Sequence, residues 1–191
     1  MSTRRLDDSY GAFRVQIGAH GYAKQAALRK TVSVELLTQL GLGEIIGTMS
    51  ADRRKTLLEH FERVGRQIRR QGFVDLVSSF EADLFRSLRM ATSQARHILN
   101  EHYGTGYPFA AHRQDLTRTT DDFSNLGGYR RLLAASSASA IDPRRDVWDV
   151  VSYRDFLAHG ERWSAPAAPP TVEAAYRILS AELDRIEAVR T

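Results

Sequence analysis

The chain has 191 residues, of which 42% are hydrophobic and 26% charged, proportions typical of one globular domain with a substantial core. It contains no Cys, which excludes disulfides, thiol catalysis and cysteine-ligated zinc sites. Its apolar runs are far shorter than a membrane span, and the start MSTRRLDDSY lacks the apolar core of a secretory signal. We therefore expect a cytoplasmic protein that does not associate with membranes.

The formal net charge of +4 is unevenly distributed along the chain. Residues 1–70 carry 13 basic and 7 acidic side chains, whereas residues 71–191 carry 14 and 16. A basic first third can steer a polyanion such as a nucleic acid towards the protein. The simpler explanation is a solvated helix face, and the charge alone favours that explanation.

The first part of the chain gives no clear hydrophobic period. Residues 1–22 contain three glycines, and we expect an N-terminal arm or loop with a short strand at residues 13–17. The remainder, residues 23–191, is expected to form one helical domain. Its first helix is predicted over residues 23–40 and ends at Gly41.

Two amphipathic helices are predicted next. The first begins after Ser50, an N-cap residue, and ends at Gly72. The second runs from Phe73 to about Tyr103, and a stripe of that length belongs in an antiparallel bundle or a dimer interface. Spacings of 3 and 4 give a core-facing stripe on each helix: Leu57, Phe61, Val64 and Ile68 on the first, and Phe73, Val77, Phe80, Leu84, Leu88, Ala91, Ala95 and Ile98 on the second.

The rest of the chain alternates irregular and helical segments. Residues 104–128 have no regular period, and such a long connection is either functional or partly disordered. A short helix is predicted over residues 129–135, and Thr171 is expected to cap a final helix. The stripe of that final helix consists of Val172, Tyr176, Leu179, Leu183 and Ile186.

Between them lies a helix that carries a candidate site. It is predicted over residues 142–160, with Asp142 as N-cap and Gly160 after its last turn. Arg154 and His159 in this helix form a candidate phosphate-handling pair, because Arg grips phosphate with two N–H groups and His transfers protons. They are about 140° apart around the helix, so they converge only if Arg154 swings or a second chain supplies half of the site.

A plainer interpretation of the same residues stays open. A His in a last helical turn offsets the negative helix end, and a chain with 24 Arg and six His places an Arg five positions before a His by chance. Glu81 also has two readings. It is either a surface acid beside the apolar stripe of its helix or a partner that orients Arg154.

The segment RDFLAHG, residues 154–160, resembles the signature of the HEPN superfamily (higher eukaryotes and prokaryotes nucleotide-binding domains). That signature is Arg, a polar residue, about three variable residues and then His, on a helix late in the domain. Asp155 fills the polar position, Ala158 is small, and Gly160 follows the His. The wider resemblance is architectural and covers roughly residues 51–190. It implies an all-α, HEPN-like antiparallel helical bundle that forms a homodimer.

The resemblance also implies an activity. Many HEPN proteins are metal-independent endoribonucleases, often toxins or phage-defence effectors restrained by an antitoxin protein. On this basis RNA is the expected partner, the catalytic residues are Arg154, Asp155 and His159, and no cofactor is expected. No metal is expected either, since the six His residues show no HExxH or paired His–carboxylate spacing. The alternatives are a non-catalytic HEPN module that binds RNA or nucleotide, and a helical interaction protein.

Overall fold

The computed structural model describes residues 4–29, 51–103, 144–159 and 169–188, together with residues 110, 111, 114, 115 and 118. Within these residues the regular structure is entirely α-helical, as predicted. The four helices are α1 (Arg5–Arg29), α2 (Ala51–Tyr103), α3 (Arg144–Ala158) and α4 (Val172–Ala188).

The chain divides into two compact units. One consists of residues 8–72 and is called the hairpin unit below. The other consists of residues 1–7 and 73–191 and is called the motif unit, because it contains Arg154 and His159. The domain boundary expected at residue 22 stays a prediction.

In the hairpin unit, α1 and α2 pack in antiparallel orientation. Phe13 of α1 lies against Gly72 of α2, and one helical heptad further on His20 lies against Gly65. His20 Nε2 donates a hydrogen bond of 2.9 Å to the carbonyl oxygen of Phe61, and the two rings meet edge to face. Each glycine therefore makes room for a ring of the opposite helix, which lets the two backbones approach closely.

The loop and strand expected in residues 1–22 are wrong, because α1 is helical from Arg5. The helix end expected at Gly72 is also wrong, because α2 continues through it to Tyr103. A glycine inside a helix costs only about 1 kcal/mol relative to alanine. Burial of Leu6 and Phe13 on one face of α1, and close packing at Gly72, outweigh that cost.

The motif unit has the larger described core. Helices α3 and α4 pack against each other. The first turn of α1 is anchored here, because the Leu6 N–H donates 2.9 Å to Oδ2 of buried Asp83 on α2. Arg4 adds ion pairs to Asp184 (2.7 Å) and Glu187 (2.6 Å) of α4. The buried apolar residues of α2, α3 and α4 in this unit are Phe73, Leu76, Val77, Phe80, Leu84, Val147, Val150, Val151, Leu157, Val172, Ala175, Leu179 and Leu183.

Thr171 caps α4 as expected, since its Oγ1 accepts a 3.1 Å hydrogen bond from the Ala174 N–H. The α2 stripe is buried at Phe73, Val77, Phe80 and Leu84, but Ile98 is 48% exposed and does not continue it. Three predictions lie outside the described residues: the part of the first predicted helix after residue 29, the short helix at 129–135, and most of segment 104–128. No described helix combines the length and apolar character required to cross a membrane.

Candidate functional site

The predicted motif helix is present as α3, which ends at Ala158 and is followed by a turn residue, His159. Val147, Val150, Val151 and Leu157 are its buried residues and define the face that packs into the motif unit. Arg154 lies on that same face, because it is three or four residues from three of them. The hydrophobic pattern of α3 thus directs the Arg154 side chain inward, towards α2.

Two carboxylates contact the Arg154 guanidinium. Its Nη2 donates to Oε1 of Glu81 on α2, and its Nη1 forms an ion pair with Oδ1 of the adjacent Asp155 at 3.3 Å. The side chains of Arg154 and Glu81 are only 15% and 13% exposed. Of the two interpretations of Glu81, the structure therefore supports the one in which Glu81 contacts Arg154. The pair holds the guanidinium in one orientation, because both charges are largely removed from water.

The guanidinium also retains an unused donor within the described part of the chain. Arg154 Nε is buried and finds no hydrogen-bond partner among the described residues. Arg has five N–H donors, and a buried unsatisfied donor costs about 1–3 kcal/mol. Glu81 and Asp155 thus position the Arg154 guanidinium but do not use all of its N–H donors.

His159 lies in a different environment from Arg154. Its backbone N–H donates 3.0 Å to the carbonyl oxygen of Asp155, which continues the helical hydrogen-bond pattern by one residue. Its side chain is exposed, whereas Arg154 faces the core. Helical geometry separates the two by about 140° around α3. The structure therefore brings Arg154, Asp155 and Glu81 together and leaves His159 on another side of the helix.

Two aromatic residues beside the motif were not singled out from the sequence. Tyr153 meets Phe73 of α2 edge to face, with ring centroids 4.9 Å apart, and stacks on Phe156 at 6.0 Å. The Tyr153–Phe73 contact holds α3 against α2, and an aromatic pair of this kind contributes about 0.5–1.5 kcal/mol. The available signal was the position of Tyr153 directly before Arg154 and of Phe73 at the start of the α2 stripe.

The side chains at this site can supply charge stabilisation and proton transfer. A fixed guanidinium can neutralise a phosphoryl group, and an exposed imidazole can exchange protons with a ligand or solvent. Among the described residues, no three His, Asp or Glu side chains are grouped so that they could hold a metal ion.

Comparison of the chain with protein-family models, with curated proteins and with solved structures gave no match. The chemistry of the site therefore rests on its own residues and on the motif resemblance.

Proposed function

We propose that this protein is a metal-independent endoribonuclease of the HEPN type that acts as a homodimer. The observation that carries the proposal is the environment of the RDFLAHG motif. Its Arg is held by two carboxylates on the core side of α3, while its His is exposed at the end of the same helix. A positioned cation and an accessible imidazole are the two groups that metal-free phosphodiester cleavage requires.

The proposed reaction uses the 2′-hydroxyl of RNA as nucleophile. His159 of one subunit accepts the 2′-hydroxyl proton, and the 2′-oxygen attacks the adjacent phosphorus. The bond to the 5′-oxygen breaks, and His159 of the partner subunit donates a proton to that leaving oxygen. Arg154 stabilises the negative charge on the phosphoryl oxygens, and Asp155 and Glu81 orient Arg154. The products are a 2′,3′-cyclic phosphate and a 5′-hydroxyl.

The homodimer is proposed from the resemblance, and a second chain would also resolve the angle between the two groups. A separation of about 140° around one helix does not let Arg154 and His159 of one chain face a single phosphate without a change of rotamer. Two copies of α3 related by a two-fold axis place each exposed His159 near the motif of the other chain. A toxin or phage-defence role, with an antitoxin as a further partner, is an additional proposal that rests on the resemblance.

The test compares purified wild type with His159→Ala on labelled single-stranded RNA in excess EDTA. We expect wild type alone to cleave and to leave cyclic-phosphate ends, while DNA of the same sequence stays intact because it lacks the nucleophile. His97→Ala is the matched control, since His97 is also an exposed helical histidine and lies outside the motif. Loss of cleavage in EDTA would refute the metal-free mechanism, and equal cleavage by His159→Ala would refute the role of His159.

A second candidate function is a HEPN-like module that binds RNA or nucleotide without cutting it. The ion pairs of Arg154 with Glu81 and Asp155 are equally compatible with this candidate, because a structural arginine makes the same contacts. RNA binding by wild type without any cleavage would select it. A monomeric mass in solution together with absence of both RNA and nucleotide binding would refute both candidates and favour a helical interaction protein.

A further inference from the structure

A strongly basic surface lies on the hairpin unit. The unit contains eleven basic and six acidic residues in the sequence, for a net charge of +5, whereas the motif unit carries −1. Five exposed cations of α2 contribute to this charge and are called the arginine face below. They are Lys55, Arg63, Arg66, Arg69 and Arg70.

Helical geometry gathers these cations on one side of α2. At about 100° per residue, all five lie within an arc of about 120°, and Arg63, Arg66 and Arg70 lie within about 60°. Along the axis, Arg63 and Arg70 are about 10 Å apart. The buried residues of this part of α2 lie on the opposite side; they are Leu57, Phe61, Gly65 and Gly72. Of these, Phe61, Gly65 and Gly72 contact α1.

Two carboxylates share the arc, and their effect is limited. Glu62 forms an ion pair with Lys24 of α1, and the pKa of Glu62 is lowered chiefly by the hydrogen bond from Lys24. Glu59 is exposed on the same side. The arc therefore keeps an excess of three positive charges over residues 55–70.

We propose that the arginine face binds the phosphodiester backbone of single-stranded RNA. This inference rests on the proposed function in that RNA is taken as the polyanion. Arginine binds phosphate with more than the attraction of a simple point charge, because its planar fork donates two parallel hydrogen bonds. The same planar group also stacks on bases. Four of the five cations are arginine.

The surroundings argue against an anionic membrane as the occupant. A helix that lies on a lipid surface inserts an apolar face between the headgroups. The apolar side of α2 in this unit is already covered by α1. The Phe61 carbonyl oxygen accepts a hydrogen bond from His20, and the ring of Phe13 packs against Gly72. The arginine face offers only charges to a partner, which suits a flexible polyanion.

The test measures binding of a fluorescent single-stranded RNA by anisotropy across a series of KCl concentrations. All proteins carry His159→Ala, so that the RNA is not cut. One variant combines Arg63→Gln, Arg66→Gln and Arg70→Gln. Its matched control combines Arg89→Gln, Arg118→Gln and Arg177→Gln, which are exposed arginines of the motif unit. Both triples lower the formal net charge from +4 to +1.

We expect the arginine-face triple to bind about 100-fold more weakly near 0.1 M salt, because each lost phosphate contact on a single strand removes about 0.7 from the slope of log K against log salt. Its slope should fall by about 2, while the control triple stays close to the parent. Far-ultraviolet circular dichroism checks that both triples keep their helices.

The outcomes separate this inference from the proposed function. If wild type fails to cleave RNA but the arginine-face triple alone loses binding, the proposed function fails and the inference stands. If wild type cleaves RNA and the two triples bind alike, the inference is overturned and the proposed function stands. Binding to phosphatidylserine vesicles in place of RNA would also overturn it.

Discussion

Breaking the Glu81–Arg154 pair tests whether it is a coupled, largely buried unit. Removing one partner of a buried ion pair costs about 3–5 kcal/mol. Both side chains retain some exposure, and Asp155 remains beside Arg154, so the lower end of that range applies. We expect Arg154→Met to cost about 3 kcal/mol and Glu81→Gln, which keeps a hydrogen-bond acceptor, about 2 kcal/mol.

The double variant is the informative measurement. If each single change mainly removes the ion pair between the two groups, the double variant loses that pair only once and should cost about 3 kcal/mol and not 5, a coupling of about 2 kcal/mol. Urea denaturation followed by circular dichroism gives the free energies of unfolding. The same cycle on the exposed pair Lys24–Glu62 should give a much smaller coupling, because solvent screens that pair. Additive effects at Glu81 and Arg154 would refute the reasoning.

The cycle also has a functional readout under the proposed mechanism. Glu81 would act as a positioning residue, because its contact is with Arg154 and not with the reacting phosphate. We therefore expect Glu81→Gln to lower kcat for RNA cleavage with little change in KM. An unchanged kcat would mean that the orientation of Arg154 does not limit the reaction.

Three further results are expected, one each from packing, helix capping and ion pairing. Gly72→Ala should destabilise the protein by up to about 2 kcal/mol, since overpacking against Phe13 costs about 1–3 and alanine regains about 1. Gly18→Ala meets open space and should stabilise the protein by about 1 kcal/mol. Equal shifts in urea denaturation would contradict this. Thr171→Ala should cost about 1 kcal/mol in the same assay, and Thr171→Ser should restore most of it. NMR titration should give Glu62 a pKa below its ordinary value, and Lys24→Met should return that pKa towards normal. Because the pKa is depressed, the small stabilisation from the Lys24–Glu62 pair is present above the ordinary pKa of a Glu. It is lost as the pH falls through the lowered value.

The sequence was sufficient where a regular local pattern agreed with the final packing. Spacings of 3 and 4 predicted α4 and the buried start of the α2 stripe, because one face of a helix must be buried wherever it packs. Cap residues at its two ends predicted α3. The Thr171 cap was predictable for a similar reason, since its hydrogen bond reaches only three residues along the chain. The Arg154–His159 angle also followed from helix geometry alone.

Glycine was where reading the sequence failed. Three glycines suggested a loop in residues 1–22, and Gly72 suggested a helix end, yet both regions are helical. At Gly72 the ring of Phe13 lies against the glycine, whereas Gly11, Gly18 and Gly21 meet open space and belong to a helix that buries Leu6 and Phe13. Contact of Phe13 with Gly72 joins residues 59 positions apart, so no local pattern reveals it.

The sequence by itself determined that the protein is helical and that its motif Arg and His lie on different sides of one helix. Only the tertiary structure decided between the two roles of Glu81, because the contact spans 73 residues and depends on how α3 packs on α2. It also decided that Arg154 is held inward while His159 stays exposed. The physical reason is that helix formation is governed by neighbours a few residues away, whereas burial and ion pairing are governed by which helix faces meet.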